Sequence, residues 1–86
     1  MYDIFHLHNE LGIPLEIILE GFNKVGWTIS WGLFYERALA YGWNPRSTVS
    51  KLEAAIEDTM DDEYLQGWRI SMKRYLSIRE KKNKPL

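Results

Sequence analysis

Tyr41-Gly42-Trp43-Asn44-Pro45 is the stretch that decides how this chain folds. Glycine readily adopts the left-handed backbone conformation that ends a helix, so Gly42 predicts a helix terminus. An asparagine side chain caps the start of the next helix. Proline suits the first helical position because its missing N–H would be unpaired there in any case. The stretch therefore predicts a tight joint, after which a helix begins at Pro45 and runs to about Thr59.

Similar helix start and stop signals occur on the N-terminal side of this joint. Asp3 predicts a cap for a first helix that ends at Gly12, and Pro14 predicts the first position of a second helix that ends at Gly26. Residues 27–30, Trp-Thr-Ile-Ser, favour β structure, so a short extended segment near these residues is an alternative to a loop. In the helical interpretation, a hydroxyl in this segment, from Thr28 or Ser30, caps the third helix.

Apolar residues repeat at helical spacing in each segment, as in the series Leu65, Trp68, Met72 and Leu76 of the last one. The acids at 61–63 open that last helix, because negative charge in a first turn complements the helix dipole. We therefore expect an all-α fold, a compact bundle of four to five short helices. Residues 1–80 form one helical domain in this prediction, and residues 81–86 form a basic C-terminal tail.

Composition excludes several classes of function. The chain has no cysteine, so it has no disulfide, thiolate nucleophile or thiolate metal ligand. Its apolar runs are only a few residues long, far below the roughly 20 that a membrane-spanning helix needs. His6 and Glu10 have ligand spacing, but two ligands do not make a metal site. With no nucleophile–base pattern and no glycine-rich phosphate loop, we expect a cytoplasmic, non-enzymatic protein without cofactor or metal.

Charge is divided unevenly along the chain. Residues 1–68 carry 11 acidic and 4 basic residues, whereas residues 69–86 carry 7 basic residues and 1 acidic residue. Fields of this kind steer encounters with charged partners and fix their orientation. Basic residues near the end of the last helix also match its dipole, so two interpretations stay open: a solvated helix and a contact surface.

Residues 38–52, Ala-Leu-Ala-Tyr-Gly-Trp-Asn-Pro-Arg-Ser-Thr-Val-Ser-Lys-Leu, resemble the helix-turn-helix of bacterial and phage repressors. The resemblance implies that the helix after Asn44 enters a major groove, with its first residues on base edges. Carried over to this chain, the DNA-binding residues are Arg46, Ser47 and Ser50, which face bases, and Lys51, which meets a phosphate. Val49 lies seven residues after Gly42, one more than the family's usual spacing. An ordinary capped helix pair is the alternative.

An acidic stretch follows, with six acids and no basic residue between positions 53 and 63. It predicts a surface that docks on a basic groove, with nearby aromatic residues as anchors; a solvated helix face is the alternative. The protein-binding residues of this prediction are Glu53, Glu57, Asp58, Asp61, Asp62, Glu63, Tyr64 and Trp68.

In general style the chain is similar to small proteins of phages and other mobile elements: short, rich in aromatic residues, free of cysteine and unevenly charged. That likeness implies an inhibitor of a host nuclease or defence complex, as anti-CRISPR and anti-restriction proteins are, acting in the host cytoplasm on a protein partner with a basic surface. A helix-turn-helix transcriptional regulator that binds DNA is the alternative function. A structural subunit or homodimer without a regulatory role is a third possibility.

Overall fold

The computed structural model describes residues 4–27 and 29–83. Its elements are α1 (Ile4–Asn9), α2 (Leu15–Lys24), α3 (Trp31–Ala40), α4 (Pro45–Thr59) and α5 (Asp62–Asn83), and these ranges contain no strand. The predicted all-α bundle is confirmed. The segment considered for an extended piece is irregular at Trp27, Ile29 and Ser30, while Thr28 lies outside the described residues.

The joint between α3 and α4 has the predicted chemistry. Gly42 has a φ of 98°, a value that L side chains rarely adopt. Asn44 is the cap of α4, since its side-chain oxygen accepts a hydrogen bond from the backbone N–H of Ser47 at 3.1 Å. Pro45 is the first helical residue. The turn signal in the sequence was therefore sufficient to place this joint.

The entries into α2 and α3 are set by Pro14 and Ser30. Ser30 caps α3 through its hydroxyl oxygen, which accepts from the N–H of Leu33 at 3.4 Å. Pro14 has an extended ψ of 141° and lies one residue before α2, so the prediction that it is the first helical residue is wrong by one position. Asp3, the predicted cap of α1, lies outside the described residues.

Helix α4 packs against three neighbouring helices, α2, α3 and α5. Leu52, Ala55 and Ile56 on its inner face are completely buried. Thr48 is also buried, and its hydroxyl donates to the carbonyl of Asn44 at 2.8 Å, which satisfies the polar group. The inner face of α4 is thus committed to the core, and only its other sides meet solvent.

Helix α5 is the longest element, with 22 residues, or about 33 Å. Leu65, Trp68 and Met72 are buried, as the predicted apolar series requires. The helix continues across the boundary between positions 80 and 81 at which we placed the basic tail; residues 84–86 lie outside the described ranges. No helix in those ranges combines the length and hydrophobicity that crossing a membrane requires.

Candidate protein-binding surface at the α4–α5 turn

The short turn between α4 and α5 gathers acidic residues from two helix ends. Helix α4 ends at Thr59 and α5 begins at Asp62, so the last turn of one helix lies beside the first turn of the other. We call this surface the acidic apex. Its members are exposed carboxylates: Glu57, Asp58, Asp61, Asp62 and Glu63.

The apex carboxylates lack cationic partners within residues 4–27 and 29–83. Asp61 accepts the N–H of Tyr64 at 2.8 Å as the cap of α5, and Asp62 accepts an amide N–H of Gln66 at 3.4 Å, but neither donor is charged. Glu53 differs from them, because its carboxylate pairs with the Nε of Arg69 at 3.2 Å. Glu53 is therefore partly neutralised, and the negative field of the apex comes from the other five acids.

Helix stability accounts for only part of this acidic cluster. Asp62 and Glu63 occupy the first turn of α5, where negative charge is favourable. Glu57 and Asp58 lie at the C-terminal end of α4, whose last turn holds no basic residue. There the helix dipole opposes each carboxylate by a few tenths of a kcal/mol up to about 1 kcal/mol. Their placement has no explanation in the stability of α4.

Tyr64 adds an aromatic side chain at the edge of the apex. It is 39 % exposed, and its hydroxyl accepts a hydrogen bond from the indole N–H of Trp31 at 3.1 Å. Trp31 in turn packs edge-to-face against Trp68, with ring centroids 6.3 Å apart. Tyr64 is thereby held in one place by the bundle before any partner arrives.

Trp68 lies in the core, so the expectation that it contributes to the contact surface is wrong. Its side chain is only 5 % exposed, and the indole N–H has no hydrogen-bond partner among the described residues. Leu65 and Met72 flank it one turn away on the inward face of α5. The helical spacing of the apolar residues in α5 had predicted that Trp68 is buried. That spacing was the better guide to its position than its closeness in sequence to the acids at 61–63.

The four DNA-binding candidates, Arg46, Ser47, Ser50 and Lys51, are all exposed on the first two turns of α4. The Nζ of Lys51 lies 4.7 Å from the ring centroid of Trp43. Arg46 and Ser50 border a groove of about 350 Å³ between α4 and the apolar side chain of Leu76 on α5. This surface lies toward the opposite end of α4 from the apex: along the helix axis, Lys51 is about 9 Å from Glu57, and Arg46 is about 18 Å from Asp58.

A third constellation, which the sequence did not reveal, joins α3 to α5. Tyr75 and Arg79 both donate hydrogen bonds to Glu36, with the Nε of Arg79 2.7 Å from Oε2. The hydrogen bond from Arg79, followed by that from Tyr75, holds the pKa of Glu36 below its ordinary value. Burial, and then the contact with Glu36, raises the pKa of Tyr75 to about 12. Tyr75 is 39 positions and Arg79 is 43 positions from Glu36 in the sequence, so no local sequence pattern connects them.

Both histidines contact neighbouring polar groups. His6 Nδ1 lies 3.2 Å from a carboxylate oxygen of Glu10, the other oxygen of which accepts from the Tyr41 hydroxyl at 3.3 Å. His8 Nδ1 contacts the carbonyl of Ile13 at 2.9 Å. Within the part of the chain that the structure describes, no three acidic or histidine side chains are placed to share an ion.

Comparisons with protein-family models, with curated proteins and with solved structures found no match for this chain. The functional argument therefore rests on surface geometry and charge.

Proposed function

We propose that this chain is a non-catalytic binding protein whose acidic apex docks on a basic groove of a nucleic-acid-handling protein, and that it inhibits a host nuclease or defence complex in this way. One observation carries the proposal: the apex presents five exposed carboxylates that have no ion-pair partner among the described residues, and two of them, Glu57 and Asp58, oppose the dipole of their own helix. Negative charges that lower the stability of their own helix are expected at a surface that binds a positively charged partner.

The physical basis of docking is electrostatic complementarity. A groove that binds nucleic acid carries lysine and arginine side chains placed to neutralise phosphates. Carboxylates clustered on a rigid turn present negative charge to the same side chains, and opposite potentials speed association and orient the partner. Tyr64, held by Trp31, supplies an ordered aromatic contact beside the charges. Occupation of the groove then excludes the nucleic acid.

The test uses charge reversal at two apex residues whose side chains form no ion pair with another described residue. Glu57→Lys with Asp58→Lys removes the charges without touching Asp61, whose side chain caps α5. The matched control is Glu16→Lys with Glu20→Lys, which makes the same charge change on α2. Asp61 is left intact because loss of a helix cap alone destabilises a protein by about 1 kcal/mol.

The measurement has two stages. Affinity capture from host lysate, with and without nuclease treatment, identifies the partner, and calorimetric titration with the purified partner then measures affinity. We expect the apex variant to bind about 100-fold more weakly and the α2 variant to bind within about threefold of the parent protein, because only the apex meets the basic groove. Equal affinity of the apex variant and the parent would refute acidic docking.

A second candidate function, sequence-specific DNA binding, is favoured by the joint exposure of Arg46, Ser47, Ser50 and Lys51 at the start of α4. It predicts nuclease-sensitive capture. It also predicts that Lys51→Ala lowers the salt dependence of duplex binding by about one phosphate contact, measured by fluorescence anisotropy at several salt concentrations. Capture that survives nuclease treatment, with no duplex binding at low salt, would exclude this function.

A further inference from the structure

The outer side of α5 carries a regular stripe of side chains that the described residues leave exposed. Its residues follow alternating spacings of four and three, the pattern that keeps side chains on one side of a helix and that pairs helices in coiled coils. All are exposed. We call this stripe the α5 seam; its members are Glu63, Gly67, Ile70, Arg74, Ser77 and Lys81.

Two members of the seam take no part in the packing of the described residues. Ile70 is 62 % exposed, on a side of α5 that faces away from the core. Gly67 lies inside the helix with a negative φ, and a Cβ added there would meet no atom within 4 Å. Glycine in a helix interior is about 1 kcal/mol less favourable than alanine. Gly67 leaves room for the backbone of a second helix to approach closely, and Ile70, one turn away, offers that helix an apolar contact.

We propose that a second copy of this chain packs antiparallel along the α5 seam and forms a two-fold symmetric homodimer. In this register Glu63 of one copy lies opposite Lys81 of the other, so the two ends of the seam attract. Gly67 faces Ser77, and their small side chains allow close approach of the two backbones. Ile70 packs on the aliphatic stem of Arg74. Each contact occurs twice, as a symmetric interface requires.

Charge selects the antiparallel arrangement over the parallel one. Parallel helices in register would bring Glu63 beside Glu63 and Lys81 beside Lys81, and like charges at such positions are unfavourable. Neither Glu63 nor Lys81 has an ion-pair partner in the described parts of its own chain. Both charges therefore remain available to the second copy.

The seam on α5 is favoured over a similar surface on α2. Helix α2 also exposes an isoleucine, Ile17 at 58 %, next to Gly21, which has open space around it. However, α2 has 10 residues and is about 15 Å long, whereas α5 is about 33 Å long. Stable interfaces bury roughly 1,200 Å² or more, and the longer helix offers a seam closer to that size.

The dimer would place two acidic apices at opposite ends of the paired helices. Glu63 pairs with Lys81 of the second copy in this arrangement, so Glu57, Asp58, Asp61 and Asp62 are the apex carboxylates left for a partner. Glu63 and Lys81 are 18 residues apart, so the apices are separated by about 27 Å along the seam. Two linked docking sites raise the effective concentration of the second contact once the first has formed. This consequence rests on the proposed function, whereas the dimer itself does not.

Sedimentation equilibrium of the full chain tests the proposal directly. We expect a concentration-dependent mass that approaches twice the 10.2 kDa of one chain. Ile70→Lys should give a monomer at every concentration, because it places a cation opposite Arg74 of the other copy at the centre of the seam, and it does so twice. The control, Ile17→Lys, makes the same change at a similarly exposed isoleucine on α2 and should leave the dimer intact. A monomeric parent protein overturns the proposal, as does a dimer that Ile70→Lys leaves intact.

A charge swap tests the antiparallel register. Glu63→Lys and Lys81→Glu should each weaken the dimer about tenfold, since each converts two attractive contacts into repulsive ones. The double variant carries both changes, and it should return to within about threefold of the parent affinity. If the double variant is as weak as the single variants, this register is wrong. Helical circular dichroism of each variant shows that it has folded.

The dimer and the proposed function fail separately. Glu57→Lys with Asp58→Lys changes the apex but not the seam, so this variant should remain dimeric while it loses the partner. Ile70→Lys should be monomeric but keep partner binding at a single apex. An Ile70→Lys monomer that binds as the parent does would leave the docking proposal standing and remove only the bivalent contact.

Discussion

The Tyr75 hydroxyl donates a hydrogen bond to the carboxylate of Glu36, and this contact joins α5 to α3. Arg79 binds the same carboxylate through Nε at 2.7 Å and through Nη2 at 3.3 Å. The guanidinium of Arg79 also lies 5.4 Å from the ring centroid of Tyr35. Because two donors one turn apart converge on one acceptor, they hold the C-terminal half of α5 against the bundle. The proposed seam depends on that placement.

Tyr75→Phe should lower the free energy of unfolding by about 1–2 kcal/mol, because it removes a hydrogen bond to a charged group and leaves the ring packing unchanged. Urea denaturation followed by circular dichroism measures the change. Tyr41→Phe is the matched control: its hydroxyl donates to Glu10 at 3.3 Å on an exposed surface. We expect less than half the effect from the control. Equal losses in the two variants would show that the Glu36 contact has no special role.

Stability at alkaline pH should depend on Tyr75. Burial and the hydrogen bond to Glu36 raise its pKa from 10.0 to about 12. The folded protein therefore holds this proton more tightly than the unfolded chain does. That stabilisation is complete below pH 10 and is lost as the pH rises through 12. Thermal melts across this range should show a steeper fall for the parent protein than for Tyr75→Phe; parallel curves would contradict the assignment.

Stability at acid pH should depend on Glu36 with the opposite sign. The hydrogen bonds from Arg79 and Tyr75 hold the pKa of Glu36 below its ordinary value of 4.5. Its contribution is therefore present above pH 4.5 and is lost as the pH falls below that value. Comparison of the parent with Glu36→Gln isolates this group from the other carboxylates. We expect the difference in melting temperature to shrink as the pH is lowered through this range.

The sequence predicted the features of this fold that depend on neighbouring residues. Asn44 and Pro45 specify a helix start through their own side chains, so the joint was found where it was expected. The charges of the acidic apex were also visible, because one short turn brings sequence neighbours together. The position of Pro14 was missed by one residue, since proline tolerates both the cap and the first helical position.

Contacts between distant helices were beyond the reach of such patterns. Glu36 and Arg79 are each unremarkable members of a charged helix face, and only the packing of α3 on α5 makes them partners. Trp68 also could not be placed from sequence patterns alone. The apolar series predicted that it lies in the core and the nearby acids predicted that it lies at a contact surface, and the structure places it in the core. Which side of a helix meets the core is settled by tertiary packing.

Two helix glycines should respond in opposite ways to the same substitution. Gly21→Ala should raise the free energy of unfolding by about 0.5–1 kcal/mol, because alanine is the better helix former and a Cβ there meets no atom within 4 Å. Gly32→Ala places its Cβ 3.1 Å from Cε2 of Tyr75, the ring of which is held by Tyr35 and Glu36. We expect no gain or a loss there. If urea denaturation shows that Gly32→Ala stabilises the protein as much as Gly21→Ala does, the Tyr75 ring can move aside without cost.

Reversing the apex charges on α4 should strengthen the fold while it weakens binding. Glu57→Lys with Asp58→Lys places cations at the C-terminal end of α4, where the helix dipole favours them, so the free energy of unfolding should rise by about 0.5–1 kcal/mol. Asp61→Ala should lower it by about 1 kcal/mol, because the N–H of Tyr64 loses its acceptor. Urea denaturation at low and high salt measures both changes, and only the charge effect should diminish with salt. If the Glu57→Lys, Asp58→Lys variant is more stable and yet fails to bind its partner, these two acids serve binding at a cost in helix stability. A destabilised Glu57→Lys, Asp58→Lys variant would mean instead that these acids are structural.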